Sequence, residues 1–262
     1  MTRQVDSSND SYPLVSVIFL SYKRPHLLKK TFEAFVENTN YPRERLELIL
    51  CDDGSPEDIQ SEIRKIPFDK YLLSKKNNGL GANTNQGIQN ANGEYILQLQ
   101  DDWALSGNHN YLQIGIKTLE YFEDIALIRY RLGRDFYFSE MRPIGTTSEK
   151  IKVLSRKISG ELFLYSDNPH LKRSSFHQII GLYKEGVKME LTELDMCKKF
   201  LDKTDWNAAV IDGYENVFLH IGEQESHRKS SPVKEHIYGT MMSHRYLVHI
   251  LSAYRWIKKL LF

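Results

Sequence analysis

An α/β fold built around a largely parallel sheet is what this sequence predicts, and three observations lead to it. Short apolar, β-rich runs alternate with helical patterns through the first half of the chain, which is the signature of successive βαβ units. The first run, Leu14 to Leu20, is nearly all apolar, as a strand covered by helices on both faces should be. Two later runs, Leu46 to Cys51 and Glu94 to Leu99, give way at their C-terminal ends to paired aspartates, and in open α/β sheets the ligand crevice lies outside those ends.

The elements follow in order. Pro25 opens a helix through about Asn38, with Leu27, Leu28, Thr31, Phe32, Phe35 and Val36 at helical spacing; proline suits a first turn because its missing N–H would be unpaired there anyway. The strand Leu46 to Cys51 stops at the turn formers Asp52-Asp53-Gly54-Ser55-Pro56, and a helix from about Pro56 to Lys65 follows. Tyr71 to Leu73 reads as a short strand. The stretch Gly79 to Asn92, rich in glycine, alanine and asparagine, reads as a helix whose backbone can approach a neighbour or a ligand closely. Glu94 to Leu99 is the next strand, so Asp53 and the Asp101, Asp102 pair are expected on one rim. Beyond it the pattern predicts a helix over Leu112 to Tyr121, a strand over Ile125 to Tyr130 and an irregular region to about Lys150. Further strand-like runs are Glu161 to Tyr165, Ala208 to Ile211 and Val217 to Ile221, with a helix from about Thr192 to Leu201.

Composition sets limits. Of 262 residues, 41% are hydrophobic, and 35 basic residues nearly balance 34 acidic ones. That is enough apolar material for a core and excludes a disordered or low-complexity chain. It also lacks the basic excess of a protein that coats nucleic acid, so no nucleic-acid partner is expected. Two cysteines, Cys51 and Cys197, are read as buried thiols rather than a disulfide framework. The polar start and the lack of an apolar run near the ~20 residues of a membrane span point to a cytoplasmic location.

Chemistry has few candidates. Asp101 and Asp102 follow an apolar run and precede Trp103, which sets at least one carboxylate at the edge of a core. Such a pair suits a hard divalent cation, Mn²⁺ or Mg²⁺, shared with substrate phosphates. Asp52 and Asp53 serve equally well as turn or helix caps. Glu190, Glu193 and Asp195 begin the helix near 192, where acids also oppose the helix dipole; repulsion among the three would raise at least one proton affinity, as a general base requires.

These segments resemble the family 2 glycosyltransferases of the GT-A fold. VSVIFLSYKRP at Val15 to Pro25, CDDGSPED at Cys51 to Asp58 and NNGLGANTNQGIQNANGEYILQLQDDW at Asn77 to Trp103 are similar to the family's nucleotide-binding segments. FHQIIGLYKEG at Phe176 to Gly186, TELDMCKK at Thr192 to Lys199 and FLHIG at Phe218 to Gly222 resemble its acceptor-side segments. The resemblance implies a GT-A domain over residues 1–229, with a nucleotide-binding half over about 14–103 and an acceptor half over about 104–229. It implies inverting transfer of a sugar from a nucleoside-diphosphate sugar, UDP being the first expectation, to a glycan or lipid-linked acceptor. Leu20, Ser21, Tyr22, Arg24, Asp53, Asn85 and Asp101 would line the nucleotide site, with Tyr22 stacked on the base, Asp53 accepting from it and Asp101 near the ribose. Asp102 and His220 would hold the metal, and Glu193 would be the general base. Gln100 stands where the family's DxD motif has its first acid, and Leu20 where a small hydroxyl residue is common.

Two rivals are weighed. A non-catalytic module holding nucleotide sugar or glycan would show such departures. A sugar-phosphate nucleotidyltransferase would normally carry a glycine-rich basic loop after its first strand, and Ser21 to Pro25 has no glycine. The last segment, residues 230–262, sets Arg245, Arg255, Lys258 and Lys259 beside Trp256, Leu260 and Leu261. This is a basic amphipathic helix that would pack on its own domain, form a homodimer, or lie at a membrane surface.

Overall fold

The computed structural model describes residues 12–107, 109–132, 138–156 and 164–222; the C-terminal segment 230–262 and the Glu190 side chain lie outside them. Its centre is a nine-stranded mixed sheet. The nucleotide-side half consists of β1 (Val15–Ser21), β2 (Leu46–Asp52), β3 (Lys70–Leu73) and β4 (Tyr95–Gln100), with helices α1 (Pro25–Asn38), α2 (Glu57–Ile63) and α3 (Leu80–Asn90) between them. After β4 come β5 (Trp103–Leu105), α4 (Tyr111–Tyr121), β6 (Ile125–Arg129), β7 (Phe138–Pro143), β8 (Lys150–Leu154), β9 (His170–Arg173), α5 (Phe176–Ile180), α6 (Met189–Lys203), β10 (Asn207–Ile211) and β11 (Phe218–His220). The strand order is β3-β2-β1-β4-β9-β6-β10-β8-β7, and β5 pairs with β11 in a separate ribbon.

The nucleotide-side strands are parallel, with Ser21 opposite Asp52 and Leu20 opposite Gln100. β9 then enters antiparallel between β4 and β6, and β8 and β7 close the far edge antiparallel. The region expected to be irregular up to Lys150 thus contains one strand of a hairpin. Its pattern is weak because the residues of β7 are mostly exposed. Strand alternation sorts the core into two faces. Val15, Val17 and Phe19 of β1 join Leu28, Phe32 and Phe35 of α1 and Leu112 and Leu119 of α4, whereas Ile18 and Leu20 face the α3 side with Ile49, Cys51 and Ile96. On the first face Phe19 meets Phe35 edge-on with ring centroids 5.5 Å apart.

The small residues of α3 have a steric reason. A β-carbon on Gly87 would sit 2.7 Å from Ile18 Cγ2 and 2.8 Å from Cys51 Sγ, so the helix lies against the sheet only because that position is bare. Both cysteines are free and buried.

Candidate active site

Because β1, β2 and β4 run parallel, their C-terminal ends share one edge, and the turns that follow are stitched together there. The Asp53 N–H donates to the Ser21 carbonyl at 3.0 Å and the Asp101 N–H to the Leu20 carbonyl at 2.9 Å. The two aspartates after β2 do different work. Asp52 is buried and accepts from the Ser55 N–H (2.8 Å), the Ser55 hydroxyl (2.5 Å) and Gln60 Nε2 (3.1 Å), so it holds its own turn together. Asp53 accepts from the main-chain N–H groups of Asn78 (2.8 Å) and Gly79 (3.0 Å), tying the β2 turn to the start of α3. Burial raises the Asp53 pKa, against those two donors.

The strongest concentration of charge follows β4. Arg24, at the start of α1, spans both carboxylates: one guanidinium nitrogen pairs with Asp101 Oδ1 and the other with Asp102 Oδ2 at 2.8 Å. Ser21 Oγ donates to Asp101 Oδ2 at 3.0 Å, and the Tyr22 N–H reaches the same oxygen at 3.3 Å. Burial pushes the Asp101 carboxyl up to about 7 despite the pull of Arg24. Burial also opposes the Arg24 charge, but the two aspartates outweigh it and raise its pKa. Asp102 is less committed: Oδ2 meets Arg24 and lies 3.3 Å from His220 Nε2, while Oδ1 is buried without a hydrogen-bond partner. The β5/β11 ribbon brings His220 here by setting it opposite Trp103, with ring centroids 4.8 Å apart. The same rim carries a cleft of about 540 Å³ lined by Lys23, Gly54, Ser55, Gln60, Ser74 and Lys75 among others.

Other expected nucleotide-site residues are placed as follows. Tyr22 is half-buried beneath Lys23 Nζ, 4.9 Å from the ring centroid. Leu20 points its side chain into the core and meets the rim only through its carbonyl. Asn85 is buried and pins the acceptor side, donating to the Tyr183 carbonyl (3.0 Å) and Glu185 Oε1 (2.7 Å) while accepting the Tyr183 N–H (2.9 Å).

A second polar cluster lies under α6. Half-buried Glu193 accepts the Asp167 N–H at 3.1 Å on Oε1. Asp195 instead pairs with Lys199 one turn later, at 2.6 Å. Arg129, at the end of β6, is fully buried; burial lowers its pKa to about 10, against the attraction of Glu193. Lys172 of β9 is also buried, and its ammonium donates to Gln98 Oε1 at 3.0 Å and lies 3.0 Å from His170 Nε2. Sequence reasoning did not single out Arg129, Asp167 or Lys172. An arginine inside the apolar run IALIRY was the available signal for Arg129, whereas Ser166-Asp167-Asn168-Pro169 reads simply as a turn.

Comparison with solved structures agrees with the GT-A fold. Staphylococcus aureus TarS residues 1–349, in complex with UDP-GlcNAc, superposes with a TM-score of 0.59 at 15% identity, covering 80% of this chain and 61% of that one. A Pyrobaculum calidifontis mannosyltransferase solved with GDP-Man and Mn²⁺ gives 0.56 at 15% identity, over 76% of this chain and 56% of that one. A family model described as glycosyl transferase family 2 matches residues 16–169, and the chain belongs to that family.

Among curated relatives, a Campylobacter jejuni GalNAc(5)-diNAcBac-PP-undecaprenol β-1,3-glucosyltransferase is 33% identical over 193 residues, 66% of this chain and 60% of that protein. An uncharacterized glycosyltransferase of Rickettsia bellii is 34% identical over 108 residues, 40% of this chain and 15% of its own length. The chain therefore spans less than two thirds of either relative.

Proposed function

We propose that this chain transfers a sugar from a nucleoside-diphosphate sugar to a hydroxyl of a glycan or lipid-linked acceptor, with inversion at the anomeric carbon. The observation that carries the proposal is the arrangement of Asp101 and Asp102 at the C-terminal end of β4, with one buried Asp102 oxygen left without a partner. That orphan Oδ1, with His220 Nε2 3.3 Å from the other oxygen of the same carboxylate, is a donor set that would suit Mn²⁺ or Mg²⁺. Among the described residues no group of three or more His, Cys, Asp or Glu side chains could hold a metal ion, so substrate oxygens would complete the shell, the usual case for magnesium. When bound, the ion would neutralise charge developing on the departing diphosphate. Asp101, locked by Arg24, Ser21 and the Tyr22 N–H, would shape the rim beside the ribose, and Asp53, tied to the Asn78 and Gly79 N–H groups, would also accept from the base.

On the acceptor side Glu193 takes the proton of the attacking hydroxyl as the new glycosidic bond forms and the bond to the diphosphate breaks. A UDP sugar is the first donor to test, since TarS was solved with UDP-GlcNAc. A polyprenyl-diphosphate-linked glycan is the first acceptor, since the C. jejuni relative's name specifies one. The full chain, incubated with Mn²⁺, labelled nucleoside-diphosphate sugars and such an acceptor, is expected to release free nucleoside diphosphate and a product of inverted anomeric configuration by NMR. A product of retained configuration would refute the mechanism, and nucleotide binding without turnover on any donor and acceptor pair would favour the non-catalytic module.

A further inference from the structure

Glu193 and Asp167 form a carboxyl pair in which one member is served and the other is not. Glu193 Oε1 receives a main-chain N–H, and Arg129 faces it from β6. Asp167 is only 5% exposed, and neither of its carboxylate oxygens has a hydrogen-bond partner of ordinary geometry, although the Tyr183 hydroxyl and the Gln98 side chain lie close enough to favour its ionised form. An ionised carboxylate in that position would be both desolvated and beside a like charge, which are the two conditions that drive a carboxyl to hold its proton.

We propose that Asp167 is a positioning residue for the base: its main-chain N–H fixes Glu193 Oε1, and its buried carboxyl carries the proton of the pair, so that the negative charge rests on Glu193. The inference rests on the reading of Glu193 as the base. The surroundings decide which member keeps the proton. Around Asp167 stand Glu193 and Cys197 from α6, Lys172 from β9, Gln98 from β4, and Tyr165 and Tyr183 from the flanking loops. Burial and then Glu193 raise its pKa; Lys172, Tyr183 and Gln98 pull the other way. The one cation of that group, Lys172, is itself weakened as a counter-charge, because burial lowers its pKa and its ammonium is engaged by Gln98 and His170. Arg129 acts on Glu193 instead. Two interacting carboxyls titrate as a unit, so a change at one must appear at the other.

Infrared spectroscopy of the full chain, with ¹³C-carboxyl aspartate to separate Asp from Glu, reads the proton directly. We expect an aspartic-acid carbonyl band at neutral pH that disappears in Asp167→Asn and that, in Glu193→Gln, titrates at lower pH because the neighbouring charge is gone. Where Asp167→Asn fails to fold, the downward shift of the band in Glu193→Gln carries the assignment by itself. The kcat against pH profiles of wild type and Asp167→Asn should coincide below neutrality, where both side chains are uncharged, and diverge above it. A purely structural Asp167 would instead change the two limbs alike. No aspartic-acid band that responds to Glu193→Gln, or profiles that superimpose from pH 5 to 9, would overturn the inference. If the band shifts but Glu193→Gln still transfers sugar, the assignment of the base fails while the carboxyl pair stands; if Glu193→Gln is inactive and the band does not respond, the reverse holds.

Discussion

Arg24 decides how the two aspartates after β4 divide their labour. By pairing with both it neutralises a carboxylate that has no exposure and leaves Asp102 as the one with an uncommitted oxygen. Replacing Arg24 by Met should lower unfolding stability by ~3 kcal/mol in urea titrations, the lower end for removing one partner of a buried pair; a loss under 1 kcal/mol would show that the carboxylates manage without it. Glu193→Gln keeps shape but cannot accept a proton, so transfer should fall by roughly 10² or more while donor affinity persists. Near wild-type turnover would move the role to Glu190 or Asp195. Asp101, Asp102 and His220 were legible in the sequence because acids after an apolar strand, and a family motif, mark them. The double pairing of Arg24 was not, because it depends on how α1 starts beside the end of β4. Asp167 escaped for a similar reason: its setting is made by Lys172, Gln98 and Glu193, which are brought together only by the fold.

Among the elements the pattern concealed, β9 is the most instructive. His-Leu-Lys-Arg has the composition of a surface loop, yet His170 and Lys172 are fully buried in the middle of the sheet because they satisfy each other and Gln98. β1, β2, β4 and α1 were readable because apolar periodicity alone specifies them. α5, which follows β9, carries His177, whose Nδ1 lies 3.0 Å from the Gly181 carbonyl and whose Nε2 is buried without a partner. Burial, reinforced by Lys172, lowers its pKa to about 2 from an ordinary 6.5. A group with a depressed folded-state pKa that must stay neutral contributes fully above about pH 6.5, and its contribution is lost as pH falls below that value. Stability should therefore drop by up to about 1.4 kcal/mol per pH unit per such group between pH 6 and 4. His177→Asn, which keeps an N–H for Gly181, should flatten that slope; an unchanged slope would remove His177 from the account. On the α3 side of β1, Gly87→Ala must displace Ile18 or Cys51 and is expected to cost about 1–3 kcal/mol, measured by chemical denaturation.

At the scale of the whole molecule, the family 2 chain joins a nucleotide-side half of parallel βαβ units to a half in which antiparallel strands bring Glu193, Arg129 and Asp167 to the same edge. Among the described residues no helix is long and apolar enough to cross a membrane. The expectation for residues 230–262 lies outside those residues: it is a contact with its own domain or a second subunit, or a contact with a membrane surface, and we propose the membrane contact for test. The full chain should then sediment with anionic liposomes at low salt and less at high salt, whereas a change from dimer to monomer on truncation after Gly239 would favour a subunit contact instead. In the proposed function Asp102 would couple a divalent cation to the nucleotide at the end of β4. Isothermal titration of UDP and GDP into wild type and Asp102→Ala, each with and without Mn²⁺, tests it most directly. Wild type should bind one nucleotide in a Mn²⁺-dependent way that a folded Asp102→Ala loses; equal binding by both proteins with the same metal dependence would remove Asp102 from the metal site.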